Sequence, residues 1–190
     1  IGREQHIVAM FTDVRNYTPF VEQNLPYDVL HVLRRLFAQM GVRVRENGGR
    51  INNYMGDGMV ALFGLNEDRE NPECDAVRAG IAMLKDVESF KSYFQRLYNR
   101  EIEIGIGIDA GEAVLGLLGT GEDEMFTAIG PPMNKAARIE SATKLCATNL
   151  AVSDTVYEKV RDQVVTGATH QMDLKGVPGS SAVVEIQGLA

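Results

Sequence analysis

The chain has 190 residues, 45% hydrophobic and 24% charged, enough for one globular domain with its own core. Its formal charge of -7 excludes a basic footprint for nucleic-acid backbone or an anionic membrane surface, so phosphate binding has to rest on a few local cations. Two cysteines far apart and three histidines without ligand spacing give neither a disulfide framework nor a zinc pattern, and no apolar run approaches the roughly 18 residues that span a bilayer.

In chain order, the run from His6 to Thr12 is apolar and β-compatible, which predicts a buried strand delivering the carboxylate of Asp13. Thr18-Pro19 carries the chemistry of a helix N-cap and first position. Val29, Leu30, Leu33, Leu36, Phe37, Met40 and Val44 then recur at helical spacing, predicting a helix over about 19–46 with an irregularity near Pro26. Gly48-Gly49 ends it. Two apolar runs at about 50–55 and 58–63 flank Gly56-Asp57-Gly58, a hairpin with an acidic tip.

Ala76, Val77, Gly80, Ile81, Leu84, Val87, Phe90 and Phe94 predict a second helix reaching about Tyr98. Ile102, Ile104, Ile106 and Ile108 alternate with polar or small residues as in a strand, and Ala113 to Leu118 reads as its hairpin partner. The order βαββαβ is that of an α+β, ferredoxin-like, palm-type core, with helices on one face of an antiparallel sheet. A C-terminal α/β extension follows: a short strand at 126–129, a helix from Pro131 to about Leu145, a strand at 149–152, a helix near 154–161, and strands at 169–175 and 181–187. No repeat or low-complexity linker interrupts the chain, so residues 1–190 read as one domain, and the absence of an initiator Met suggests a piece of something longer.

Asp13 and Asp57 lie at the ends of strands that are neighbours in such a sheet, so two hard oxygen ligands can meet at a magnesium or manganese site completed by substrate phosphates. A turn cap at Asp13 and a hairpin decoration at Asp57 are the alternative, since strand-end aspartates are common. Free backbone N–H groups at a helix start near Asn16 to Thr18 suit phosphate oxygens. Asn134 and Arg138, four apart, share a helix face where arginine can meet phosphate; a solvated polar face is the alternative. Gly105-Ile-Gly107 sits within a strand and opens no helix, which excludes a dinucleotide loop.

Five segments, in order, resemble the class III nucleotidyl cyclase catalytic domain, the adenylyl and guanylyl cyclase family, along nearly the whole chain. They are Met10-Phe-Thr-Asp-Val-Arg-Asn-Tyr-Thr18, Tyr54-Met-Gly-Asp-Gly-Met-Val-Ala-Leu-Phe-Gly64, Gly107-Ile-Asp-Ala-Gly-Glu-Ala-Val-Leu-Gly116, Phe126-Thr-Ala-Ile-Gly-Pro-Pro-Met-Asn-Lys-Ala-Ala-Arg138 and Leu174-Lys-Gly176. The resemblance implies that Asp13 and Asp57 hold two Mg²⁺ or Mn²⁺ ions per site and that Asn16, Tyr17 and Thr18 contact phosphates. It further implies that Asn134 positions the ribose, Arg138 stabilises charge on the α-phosphate, and Lys175 binds the terminal phosphates. The implied reaction is conversion of ATP to 3′,5′-cyclic AMP and pyrophosphate, at sites shared across a head-to-tail homodimer.

The base-reading positions depart from the family's usual pattern. Asn53 stands where members usually carry lysine, and its partner position is Thr127, a form similar to the threonine-containing bacterial adenylyl cyclases. An asparagine amide can donate to adenine N1 or accept from guanine N1–H, so GTP and guanylyl cyclase activity remain open, as does a non-catalytic nucleotide-binding or dimerisation module. The unpaired cysteines and acidic charge read as a cytoplasmic domain without nucleic-acid or membrane contacts of its own, and the resemblance implies regulatory domains in a parent chain that can itself be membrane-anchored.

Overall fold

The computed structural model describes residues 2–190. The first strand, β1 (Arg3–Val14), runs through the middle of an eight-stranded sheet, paired along its whole length on one side and from Val8 to Asp13 on the other. Ile7, Val8, Ala9 and Met10 are fully buried. Alternation sends Val8 and Met10 to one face and Ile7 and Ala9 to the other, each into its own apolar cluster.

The first of those faces is covered by α2 (Pro26–Glu46) and α3 (Pro72–Tyr98). Val29, Val32, Leu36, Met40 and Val44 form the buried stripe of α2. The single helix expected over 19–46 is two. A short α1 (Tyr17–Gln23) ends at Asn24, because Pro26 drives Leu25 into extended backbone (φ -68, ψ 143) before α2 begins. Helix α1 also starts earlier than expected: Asn16, in the left-handed region at φ 56, is its N-cap, and Thr18 lies inside it. Asn71 caps α3 by accepting from Cys74 N at 3.0 Å, and Arg43 fastens α2 to α3 through two bonds to Asp86, of 2.7 and 2.9 Å. That pairing holds the Asp86 carboxyl below its ordinary value.

Strands β2 (Arg50–Met55) and β3 (Gly58–Phe63) form the expected hairpin, with β3 antiparallel to β1. The next strand departs from expectation. Residues read as two hairpin arms are one continuous strand, β4 (Ile104–Leu118), pairing with β1 from Val14↔Ile104 to Arg3↔Leu115. Gly105, Gly107 and Gly111 are not among the residues with positive φ, so they make no turn there. What they supply is closeness to a helix.

That helix is α4 (Pro131–Ala142), preceded by β5 (Met125–Ile129), which pairs with the C-terminal part of β4. The core helices α2 and α3 share one face as expected, and helix α4 of the C-terminal extension lies on the opposite face, so the whole sheet is covered on both sides. The seat of α4 is Gly107: a Cβ there would collide with Glu140 N and lie 2.6 Å from Ala136 O. The chain closes with β6 (Leu150–Ser153), α5 (Asp154–Val160), β7 (Val164–Asp173) and β8 (Ser180–Leu189), in the sheet order β2-β3-β1-β4-β6-β8-β7. The β4–β6 pair is parallel and every other pair antiparallel. No helix among the described residues is long and apolar enough to cross a membrane.

Candidate active site

The end of β1 and the tip of the β2–β3 hairpin are bound together. Asp13 faces Gly58 in the strand register, and Val14 N donates to Asp57 O at 3.1 Å. Gly56 takes φ +57 at the first of the two turn residues, as in a type II′ turn. Gly58 permits the approach, since a Cβ there would sit 2.5 Å from Thr12 O. Both predicted carboxylates therefore line one cavity, of about 530 Å³, together with Arg15, Asn16, Tyr17, Thr18 and Lys144.

Arg15, Glu140 and Lys144 were not singled out from the sequence. Lys144 Nζ lies 3.2 Å from Asp13 Oδ2. Burial alone would lower its pKa, but Asp13, Glu140 and Asp57 outweigh burial and hold the ammonium above its ordinary value. Arg15 donates at 2.8 Å to both Thr143 Oγ1 and Thr148 O, tying the exit of β1 to the turn that follows α4. Glu140 projects from the sheet-facing side of α4 into this end of the site. The periodicity could have exposed it: Ala136, Ile139, Glu140 and Thr143 follow helical spacing, which puts an acid on a buried face.

Two buried oxygens, Asp13 Oδ1 and Glu140 Oε2, have no hydrogen-bond donor. Two facing carboxylates satisfy each other only by sharing a proton. Burial, the hydrogen bond to Asp13 and Asp13's charge accordingly push the Glu140 carboxyl up to about 8. Burial, with Asp13 nearby, also raises Asp57.

A stability prediction follows from that proton. From the ordinary glutamate range up to about pH 8 the unfolded chain ionises Glu140 while the folded chain keeps it neutral. The folded state binds more protons there, so Glu140's contribution to stability is intact at low pH and is lost as pH rises through the window. In EDTA, melting of the wild type should fall between pH 5 and pH 8 by more than that of Glu140→Gln, which carries no ionisable group at this position. Equal slopes in the two proteins would refute the shared proton.

The remaining predicted residues lie elsewhere on the chain. Asn134 and Arg138 are exposed on α4, turned away from the side that buries Ala136 and Ile139. Lys175 is exposed in the connection between β7 and β8. Asn53 on β2 accepts from Asn52 Nδ2 at 2.7 Å, and Thr127 on β5 pairs with Gly116. Arg50 stacks over the Phe126 ring at 4.5 Å, linking the strands that carry Asn53 and Thr127. None of these five residues lines the cavity of Asp13 and Asp57.

Comparison with known proteins assigns this architecture. The family model described as the adenylate and guanylate cyclase catalytic domain matches residues 1–187. An adenylate cyclase of Anabaena cylindrica is 32% identical over 160 residues, 82% of this chain and 31% of that protein. The terminal-differentiation-specific adenylate cyclase of Dictyostelium discoideum is 27% identical over 180 residues, 95% of this chain and 8% of that protein. The chain thus spans less than a third of the length of these curated relatives. Among solved structures, the guanylyl cyclase Cya2 superposes with a TM-score of 0.91 at 28% identity, covering 100% of this chain and 95% of that one. The adenylyl cyclase CyaB from P. aeruginosa gives 0.90 at 22% identity, with 98% and 96% covered, a likeness of fold.

Proposed function

The chain belongs to the adenylate and guanylate cyclase catalytic domain family, and on that premise we propose that its residues 1–190 form one adenylyl cyclase domain, converting ATP to 3′,5′-cyclic AMP and pyrophosphate. One observation carries the reading: Asp13 and Asp57 share a cavity, while Asn134 and Arg138 lie exposed outside it on the same chain. Each half-set is complete in itself and needs the other from a second copy. A head-to-tail homodimer with two equivalent sites meets that need. The exposed apolar side chains of Val114, Leu117, Leu118, Met125 and Ile129 along β4 and β5 favour such an association.

Asp13 and Asp57 fit a pair of Mg²⁺ or Mn²⁺ ions, because both are hard oxygen ligands lining one cavity and the buried Asp13 Oδ1 has no donor other than the proton it shares with Glu140. Bound there, such ions supply Lewis-acid polarisation of the phosphoryl oxygens and of the ribose 3′-hydroxyl. The protein's own part is positioning and charge. Backbone amides around Asn16 to Thr18 hold phosphate oxygens, and Lys175 of the second copy meets the terminal phosphates. Asn134 of that copy orients the ribose, so the 3′-oxygen lies in line with the α-phosphorus. Arg138 neutralises charge building on the α-phosphate as pyrophosphate leaves.

Asn53 and Thr127 read the base, held at a common edge by the Arg50–Phe126 stack. Threonine can accept from the adenine amino group, which favours ATP. Asparagine at 53 keeps GTP as the second reading, because its amide can present either a donor or an acceptor. Purified protein assayed with both triphosphates, in Mg²⁺ and then in Mn²⁺, is expected to turn over ATP faster. A tenfold or greater preference for GTP sinks the adenylyl assignment. Full activity from a monodisperse monomer at nanomolar concentration counts against the shared site.

A further inference from the structure

Away from the cyclase cavity, three side chains from three separate elements converge. Cys146 comes from the turn after α4, His170 from β7 and Glu185 from β8, and one ligand atom of each lies within 4.8 Å of the others. His170 Nε2 meets Glu185 Oε2 at 2.5 Å. Glu185 is only 7% exposed and Cys146 only 9%. The other cysteine differs: Cys74 donates its thiol to Gln163 Oε1 at 2.7 Å. Room for the Glu185 carboxylate comes from Gly167, where a Cβ would lie 2.7 Å from its Oε1.

We propose that Cys146, His170 and Glu185 form a zinc site, separate from the magnesium or manganese site of the proposed function and independent of that reading. The ligand set selects the ion. Thiolate, imidazole and carboxylate together suit Zn²⁺ and discriminate against Mg²⁺, whereas the all-oxygen pair Asp13 and Asp57 does the reverse. Tetrahedral zinc with bonds of about 2.0–2.3 Å sets its ligand atoms roughly 3.3–3.8 Å apart. The ion therefore enters by replacing the proton between His170 and Glu185, parting them slightly and drawing the sulfur in. Burial and the Glu185 charge raise the Cys146 thiol, so binding also releases the thiol proton and strengthens with pH. Three protein ligands leave a fourth position open to water or an exogenous group.

Zinc here fastens the turn after α4 to the β7–β8 hairpin. Lys144, which leans on Asp13, is two residues from Cys146 in that turn, so the ion braces the segment that reaches into the cyclase cavity.

Metal-stripped protein, residues 1–190, titrated with Co²⁺ as a spectroscopic stand-in for zinc tests the site. One equivalent should produce thiolate-to-cobalt charge-transfer absorption that Zn²⁺ displaces. The absorption should persist in Cys74→Ser and in the double variant Asp13→Asn/Asp57→Asn, vanish in Cys146→Ser, and require at least about tenfold more Co²⁺ in His170→Ala. Its absence from the wild type, its survival in Cys146→Ser, or its loss with Asp13 and Asp57 overturns the proposal. Should Cys146→Ser fail to fold, alkylation of Cys146 in the Cys74→Ser chain decides the question instead. Zn²⁺ should slow that reaction at least tenfold, and an unchanged rate overturns the site.

Discussion

Replacing Asp57 by alanine is expected to lower cyclic AMP formation by about a hundredfold or more, since on the proposed reading it removes one of the two carboxylates that would hold the cations neutralising the reacting phosphates. Arg138→Ala should be impaired on a similar scale, although Arg138 lies outside the cavity of Asp57. The informative experiment mixes the two inactive proteins. In a head-to-tail dimer, a mixed pair places both lesions in one site and leaves the other intact, so an equal mixture that exchanges subunits regains about a quarter of wild-type activity. An active site held within one chain predicts no recovery at all. Undiminished turnover by Asp57→Ala alone would remove the metal mechanism.

Gly107→Ala is expected to be the most damaging single-methyl change outside the site. The added Cβ meets backbone on α4, Ala136 O at 2.6 Å and Glu140 Cα at 2.7 Å, and backbone atoms of a packed helix cannot swing aside as a flexible side chain does. Overpacking of this kind costs about 2–3 kcal/mol, or a fall in melting temperature of roughly 4–12 °C for a domain of this size. Gly188→Ala is the matched control: nothing lies within 4 Å of its Cβ and its φ is not positive. Its melting temperature should be close to wild type. Because α4 carries Asn134 and Arg138 on one side and Glu140 on the other, the fraction of Gly107→Ala that stays folded should also be slow in catalysis.

The glycines explain both what the sequence disclosed and what it hid. Alternating isoleucines identified the start of β4, but Gly111 looks the same whether it turns a chain or lets a helix approach. Only the pairing with β1 decided between them. Which face α4 covers was equally hidden, since periodicity says that a helix has an apolar side and not which sheet face it meets. Asp13 and Asp57 were accessible because strand ends and a glycine-flanked tip are local features, and the sheet brought them to one cavity as expected. Lys144 and Arg15 were not, because their partners lie more than a hundred residues away in the chain. The break at Leu25 was half seen, since Pro26 announced an irregularity but not that the helix would restart as a second element.

The long pairing of β1 with β4 also bears on how the domain assembles. Strand β1 is the axis of the sheet, yet its partners on that side are residues about a hundred positions further along. Closing so large a loop costs entropy before any contact repays it, and domains rich in such distant pairings fold slowly. During synthesis, β1 leaves the ribosome about a hundred residues before β4, with apolar side chains that cannot be fully covered until β4 has followed. Ile7 to Met10 are then the part of the nascent chain most exposed to wrong partners, and the stretch where a chaperone would be expected to bind.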